Sequence, residues 1–317
     1  MRFDPLTDQH IPEAVALARE AYDRECGHVP ALDVADVSGV LTGAIGTLVE
    51  HGHGVAAVDD DRLLGYIAFF GPYGGLWGTG TGCYTPLHGH GATGPDRERL
   101  TSLLFQHAAE VLTAQGTDTF AITTYRHDHD VRSALSLIGF GIRNADAIRE
   151  IDRPLAVKPA PGITYGEIVK ASAVDLLPLK NGLVHHLRQS PAFVANDEFT
   201  PESFAELLNE RETRFFVARD GDTPIGYMEL ADQGESYLSA APDMRNICGA
   251  FLLPEYRGRG IYQNLLQLVL DTLRGEGFRR VGVDFETMNP TALHFWPKYF
   301  DVYTHSFARR IDDLGGA

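Results

Sequence analysis

Arg257, Gly258, Arg259 and Gly260 stand directly before a run of apolar residues at helical spacing, Ile261, Leu265, Leu268, Val269 and Leu273. Two glycines two apart free the backbone of side-chain sterics, so successive N–H groups can turn inward. At a helix start such amides form an anion site, above all for phosphate, because the unpaired donors and the helix dipole point the same way. The same residues also fit a glycine-rich turn with both arginines in solvent. Carboxylates at strand ends are the second group able to do chemistry: Glu229 in GYMEL, and Asp284 and Glu286 in GVDFET. Asp284 and Glu286 are two apart and share a strand face. Each reads either as a proton acceptor or as a hydrogen-bonded carboxylate near a helix start.

A loop of this type must be held between a strand and a helix. TRFFVARDGDTPIGYMEL reads as a hairpin and ICGAFLLP as the next strand. After the loop come a long helix, the strand RRVGVDFE, a short helix from NPTALHFW, and strand material in DVYTHSFARRI. Asn289 suits the cap of that short helix, with Pro290 at its first position. Two rival phosphate loops fail. The Walker pattern needs Gly-x-x-x-x-Gly-Lys-Ser/Thr, which does not occur. The dinucleotide fingerprint needs a third glycine where Gln263 stands, and it follows the first strand of a parallel sheet rather than a hairpin.

The pattern is written twice. LLGYIAF around Gly65 and Tyr66 matches PIGYMEL around Gly226 and Tyr227, an offset of 161. At the same offset Gly116 meets Gly277 and Asp128 meets Asn289. In the first half, one helix carries Ile11, Val15, Ala18 and Tyr22 on a face, HGVAAVDDDRLLGYIAFFG is a hairpin, and a second helix uses Leu100, Leu103, Leu104, Val111 and Leu112. The proline-bearing IDRPLAVKPAPGITYGEI reads as a boundary, giving domains at 1–152 and 160–317. Strands, hairpins and helices in this mixture predict an α/β (α+β) fold of two tandem domains, each a twisted sheet flanked by helices.

The bulk composition narrows the setting. The chain has 317 residues, a length suited to two domains. No apolar run is long enough for a membrane span, and MRFDPLTDQH lacks a signal-peptide core. Three scattered cysteines, Cys26, Cys83 and Cys248, argue against a disulfide framework or zinc knuckle and for a cytoplasmic home. A net charge of −16 argues against nucleic acid and anionic membrane as partners and is compatible with a cationic amine. HGHG at 51–54 and 88–91 and YRHDHD at 125–130 match no zinc spacing, so no metal is expected.

The order of hairpin, LLPEYRGRG strand and loop, long helix, strand and Asn-led helix resembles the Gcn5-related N-acetyltransferases. Their signature Arg/Gln-x-x-Gly-x-Gly/Ala falls on Arg257 to Tyr262, and NPTALHFWPKYF resembles their second signature, Asn-x-x-Ala-x-x-Phe-Tyr. The resemblance is strong over 160–310 and degenerate over 1–150. It implies acyl-CoA N-acyltransferase domains with mostly antiparallel sheets. Phe251, Leu252 and Leu253 would run beside the pantetheine arm of acetyl-CoA. Arg257, Gly258, Arg259, Gly260, Ile261, Tyr262 and Gln263 would hold its pyrophosphate, with Asn289 and Trp296 also touching it. Acetyl-CoA is then the acyl donor and a small-molecule amine the acceptor.

The chain departs from the family in three ways. Tyr262 stands where Gly or Ala is usual, so its ring covers the cofactor or narrows the site. Trp296 replaces the tyrosine that protonates the leaving thiolate, and an indole N–H is no acid at neutral pH. Tyr299 or the Tyr262 hydroxyl can substitute, or the thiolate can leave directly. The first half lacks the loop signature, and residues 1–152 are read as a non-catalytic copy. An alkylammonium needs deprotonation before acyl transfer, with Glu286, Glu229 and Asp284 as candidate bases. In NGLVHHLRQSPAFVANDEF, His185, His186 and Arg188 either contact an acidic or hydroxylated acceptor or form a solvated helix face.

The expected function is acetyl-CoA-dependent N-acetylation of a primary amine on an antibiotic, a natural-product intermediate or an amino sugar. The alternatives are another acyl-CoA or a hydroxyl acceptor, thioester cleavage or decarboxylation, and a non-catalytic CoA-binding sensor or scaffold. The tandem copy replaces dimerisation in this reading. A monomer is expected, with a dimer as the alternative.

Overall fold

The computed structural model describes residues 1–33, 36–76, 80–210, 213–234 and 236–311. It separates into two compact units, Met1–Ala145 with Val302–Ala317, and Asp146–Asp301. The chain leads through β1 (Arg2–Pro5), α1 (Ile11–Cys26), α2 (Val37–His51), β2 (His53–Asp59), β3 (Arg62–Gly74), β4 (Thr81–Thr85) and β5 (His90–Ala92). Then come α3 (Arg97–Ala114), β6 (Thr119–Tyr125), α4 (His129–Leu137) and β7 (Gly141–Glu150). The second unit adds β8 (Ile163–Ile168), α5 (Leu177–Arg188), α6 (Pro201–Glu210), β9 (Thr213–Asp220), β10 (Thr223–Ala231) and β11 (Met244–Leu252). It continues with α7 (Ile261–Gly275), β12 (Arg280–Glu286) and α8 (Pro290–Phe295), before the short β13 (Asp301–Val302) and β14 (Thr304–Arg310).

The first unit's strands run in the order β1-β2-β3-β4-β6-β14-β7, with β5 on β3. Its strands pair antiparallel except β4 with β6. In the second unit β12 is followed by β11, β10, β9 and β8, antiparallel except β11 with β12. Both hairpins turn on residues in the left-handed region, Asp60 and Asp61 in one and Gly221 in the other, as tight hairpins require.

The 161-residue repeat is present in the structure. Tyr66 and Tyr227 are both fully buried. Gly116 and Gly277 both take positive φ, 90° and 87°, just past α3 and α7. Asp128 and Asn289 both cap the short helix that follows. The expected boundaries differ at both ends. β14 pairs along β6, with Phe307 opposite Ile122, and Phe307 joins the core of Phe69, Leu104, Phe120 and Ile122. A strand's partner is decided by which distant core its apolar face completes, so the last strand closes the first unit rather than the second.

Helix faces follow the periodicity with local changes. On α7 the buried stripe is Ile261, Leu265, Leu266, Val269, Leu270 and Leu273, and Leu268 lies only partly covered. On α3, Val111 points into solvent and Phe105 takes the core position. On α1 the buried side is Ala14, Ala18, Tyr22 and Glu25. In the second unit Leu179, Phe204, Phe215, Val217, Tyr227 and Phe251 form the core on the α5 and α6 side of the sheet.

Candidate active site

Strands β11 and β12 pair in parallel only from Met244 with Arg280 to Ile247 with Val283. Beyond that point they separate, and a cleft of about 350 Å3 opens between the end of β11, the start of α7 and α8. The separation begins at a bulge. Glu229 faces Gly249 and Leu230 faces Ile247, which leaves Cys248 as an extra residue on β11. The Leu253 amide donates to the Ile225 carbonyl at 2.9 Å. By strand alternation the polar groups of Leu252 then point to the opposite edge, into the cleft. The Leu252 carbonyl is met there by Arg257 Nε at 3.0 Å.

At the cleft mouth Gly258 and Gly260 take φ of 74° and 78°, and Gly260 is the residue before α7. An L-residue resists this conformation, which explains glycine at both positions. The first amides of α7 have no acceptor within the helix, so the loop presents donors where the dipole is positive. The Asn264 amide ties the Gly260 carbonyl at 2.8 Å and the Lys158 carbonyl at 2.7 Å. The arginines are not alike. Arg257 folds back over the Phe251 ring at 5.6 Å, and burial lowers its pKa. Arg259 is exposed, with its guanidinium 5.3 Å from the Tyr256 ring.

The cleft brings together Phe251, Leu252, Arg257, Gly258, Gly260, Ile261, Tyr262, Gln263, Asn289 and Trp296 of the expected cofactor residues. Leu253 and Arg259 are not among its lining residues. Trp296 is 4% exposed and packs edge-on to Phe295 and Phe300. Tyr262 also stands edge-on to Phe295, at 5.3 Å, and donates its hydroxyl to the Tyr227 carbonyl at 3.1 Å. Burial raises that phenol well above its ordinary pKa, so it gives up its proton less readily. The Tyr299 hydroxyl accepts from the Gln263 side chain at 3.2 Å and lies outside the lining residues.

Among the described residues lining the cleft there is no carboxylate. Asp284 and Glu286 are half-buried on β12. Glu229 is buried and bonded to the Lys180 ammonium. The rings of Phe199, Phe204 and Tyr227 surround that ammonium, with centroids 5.5, 5.9 and 5.7 Å away. Lys180 was missed in the sequence, although a lysine among the apolar positions Leu176, Leu179 and Val184 was a signal of burial. The paired histidines divide. His185 bonds exposed Glu198 at 2.9 Å, whereas His186 lines the cleft.

His186 reaches across to the cap of α8. Its Nε2 lies 3.2 Å from Asn289 Oδ1 and 3.2 Å from Thr291 Oγ1. Asn289 Oδ1 also accepts from the Thr291 amide at 3.2 Å and its hydroxyl at 2.7 Å. Burial lowers the His186 pKa and nearby Arg257 adds to this, while the bond to Asn289 opposes it.

The first unit builds the same place differently. Arg97 Nε meets the carbonyl five residues back, Ala92, at 3.0 Å, as Arg257 meets Leu252. Here, however, α3 begins at Arg97 itself, with no Gly-x-Gly turn. The Arg97 guanidinium goes on to the carboxylates of Asp128 and Asp130. His90 Nε2 lies 2.9 Å from the Thr123 carbonyl of β6. Side chains of the chain itself thus span the region that corresponds to the cleft of the second unit.

Two half-buried histidines of this unit, His88 and His305, have pKa values lowered to about 4. Burial is the main cause, helped by His90 for the first and by Arg132, Arg126 and His127 for the second. Below pH 6.5 the unfolded chain binds protons that the folded unit refuses. Stability therefore falls as pH drops from 6.5 toward about 4, by up to about 1.4 kcal/mol per pH unit for each histidine. Urea unfolding of the first unit at pH 7 and pH 5 checks the sign.

Comparison with known proteins agrees with this geometry. Residues 181–301 match the acetyltransferase (GNAT) family model. No curated protein matches the chain. Among solved structures, a GCN5-related N-acetyltransferase from Sphaerobacter thermophilus superposes with a TM-score of 0.62 at 13% identity, over 98% of this chain and 95% of that one. A tandem GNAT protein from the clavulanic acid biosynthesis pathway gives 0.51 at 14% identity, covering 98% of both chains. A fungal multi-domain β-N-acetylglucosaminidase with a glucosamine N-acetyltransferase region gives 0.55 at 14%, over 97% of this chain and 38% of that one. The match to the acetyltransferase (GNAT) family lies within the second unit, and the chain as a whole has the tandem GNAT fold. No helix among the described residues is long and apolar enough to cross a membrane. Nor do the described residues hold a group of three His, Cys, Asp or Glu placed for a metal.

Proposed function

We propose that the second unit transfers an acetyl group from acetyl-CoA to the primary amine of a small molecule, of antibiotic, natural-product or amino-sugar type. The observation that carries the reading is the parting of β11 and β12 beyond Ile247 and Val283, with the Gly258–Gly260 turn at the mouth of the opening. The loop amides and the start of α7 would hold the pyrophosphate. The pantetheine arm would lie along Phe251 and Leu252, using the Leu252 N–H that β10 leaves unpaired. Bound acetyl-CoA supplies an activated acyl group. The chain's residues bind and orient it, exclude water with Phe295 and Trp296, and manage the protons. Acidic surface charge favours a cationic acceptor.

The first unit is proposed as a non-catalytic copy, since the Arg97–Asp128 pair and His90 occupy its counterpart of the cleft. A monomeric, cytoplasmic enzyme without metal completes the proposal. Native mass spectrometry of the whole chain with acetyl-CoA tests it. One cofactor per chain is expected. Two would assign binding to the first unit as well, and none would overturn the reading.

A further inference from the structure

We propose that His186 is the general base of this acyl transfer, taking the acceptor's proton on Nδ1. The inference rests on the reading above and adds a residue to it. Asn289 caps α8 by accepting the Thr291 amide, and a backbone N–H can meet only the carbonyl end of the side chain. The amide orientation of Asn289 is thereby set, and Oδ1 faces His186. The Thr291 hydroxyl spends its hydrogen on the same Oδ1, so it too can only accept from the ring. His186 Nε2 must carry the proton, and Nδ1 is left as the lone-pair nitrogen. Nothing among the described residues bonds to that nitrogen.

The surroundings keep the ring neutral. Phe251 stands against it with centroids 6.4 Å apart. The charged or titratable groups around the cleft are Arg257 on the loop, His294 and Lys298 on the α8 side, and Tyr262. Arg257 disfavours a second positive charge, and partial burial acts the same way. Asn289 supports the ring as an amide, whereas its counterpart Asp128 is a carboxylate tied to arginine. An aspartate at 289 would favour the imidazolium and spoil the base.

The atoms balance as follows. An acceptor ammonium gives one proton to solvent. The amine lone pair forms the C–N bond at the thioester carbonyl, the extra N–H proton passes to His186 Nδ1, and the C–S bond breaks. The departing thiolate takes that proton back, which regenerates the neutral ring. The products are the N-acetyl amine and CoA thiol.

Two measurements test the assignment on the full chain. Nitrogen NMR of histidine-labelled protein, with His186→Asn identifying the signal, reads the tautomer without any acceptor. An Nε2–H ring with unprotonated Nδ1 at pH 7 is expected, and an Nδ1–H ring would overturn the proposal. Acetylation rates with a panel of polyamines, amino sugars and arylalkylamines then compare wild type, His186→Asn, His294→Asn and Glu229→Gln across pH. His186→Asn should lower kcat/KM by about 100-fold and remove an acid limb lying below the ordinary imidazole value, with acetyl-CoA affinity within a few-fold of wild type. If His294→Asn or Glu229→Gln removes the limb instead, or His186→Asn keeps it, His186 is not the base. Failure of wild type to bind acetyl-CoA would show separately that the underlying reading is wrong.

Discussion

Gly260→Val is expected to abolish acetyl-CoA binding while the second unit stays folded. Gly260 sits at φ 78°, ψ 0° immediately before α7. For an L-residue that conformation costs roughly 1–2 kcal/mol, and β-branched side chains tolerate it worst. Space is not the obstacle, because the nearest atom to an added Cβ is the Lys158 carbonyl oxygen at 3.5 Å, an ordinary contact. The penalty lies in the backbone. Relief comes from rotating φ to negative values, which turns the amides around Gly260 away from the cleft mouth. The apolar stripe of α7 is untouched, so the unit retains its core. Titration calorimetry should show affinity weakened at least about 100-fold, equivalent to about 2.7 kcal/mol, with an unchanged circular dichroism spectrum. Near-wild-type affinity would mean that the pyrophosphate is held elsewhere.

Lys180→Met is expected to destabilise the second unit by roughly 3–5 kcal/mol. Lys180 and Glu229 are 8% and 4% exposed, so each charge depends on the other for solvation. Removing the ammonium leaves a buried carboxylate without its ion-pair partner. The Tyr227 hydroxyl is itself buried with no hydrogen-bond partner among the described residues. The double substitution Lys180→Met with Glu229→Met removes both charges and should recover most of the loss. Urea midpoints of the wild type, single and double variants decide the matter. A single variant as stable as the double would show that water reaches the carboxylate.

The loop was legible because its chemistry is local. Glycines at 258 and 260 directly ahead of a 3.6-residue stripe specify turn, helix start and anion site within a few residues. The repeat was legible because Gly116 with Gly277 and Asp128 with Asn289 serve the same backbone roles in both halves. What depends on distant partners was not. Nothing within THSFARR says that Phe307 will lie opposite Ile122. HH in α5 gives no hint that one ring turns to Glu198 and the other to Asn289, more than a hundred residues on. Lys180 falls on the apolar stripe of α5, but nothing near it in the chain names its partner Glu229, on another element. Each depends on tertiary pairing, which periodicity does not contain.

The position of β14 has a consequence for synthesis. β6 ends at Tyr125 and its neighbour β14 begins only at Thr304. At roughly 5–20 residues per second, some 180 residues of further translation hold that pairing open for about 10–40 s. During this interval the β6 edge on which β14 will lie offers unpaired N–H and C=O groups, and Phe120 and Ile122 lack Phe307 above them. Such an edge can template pairing with another nascent chain. The first half of the polypeptide must therefore wait for the last strand before it matures, and the unit read as catalytically silent is also the one whose folding is completed last.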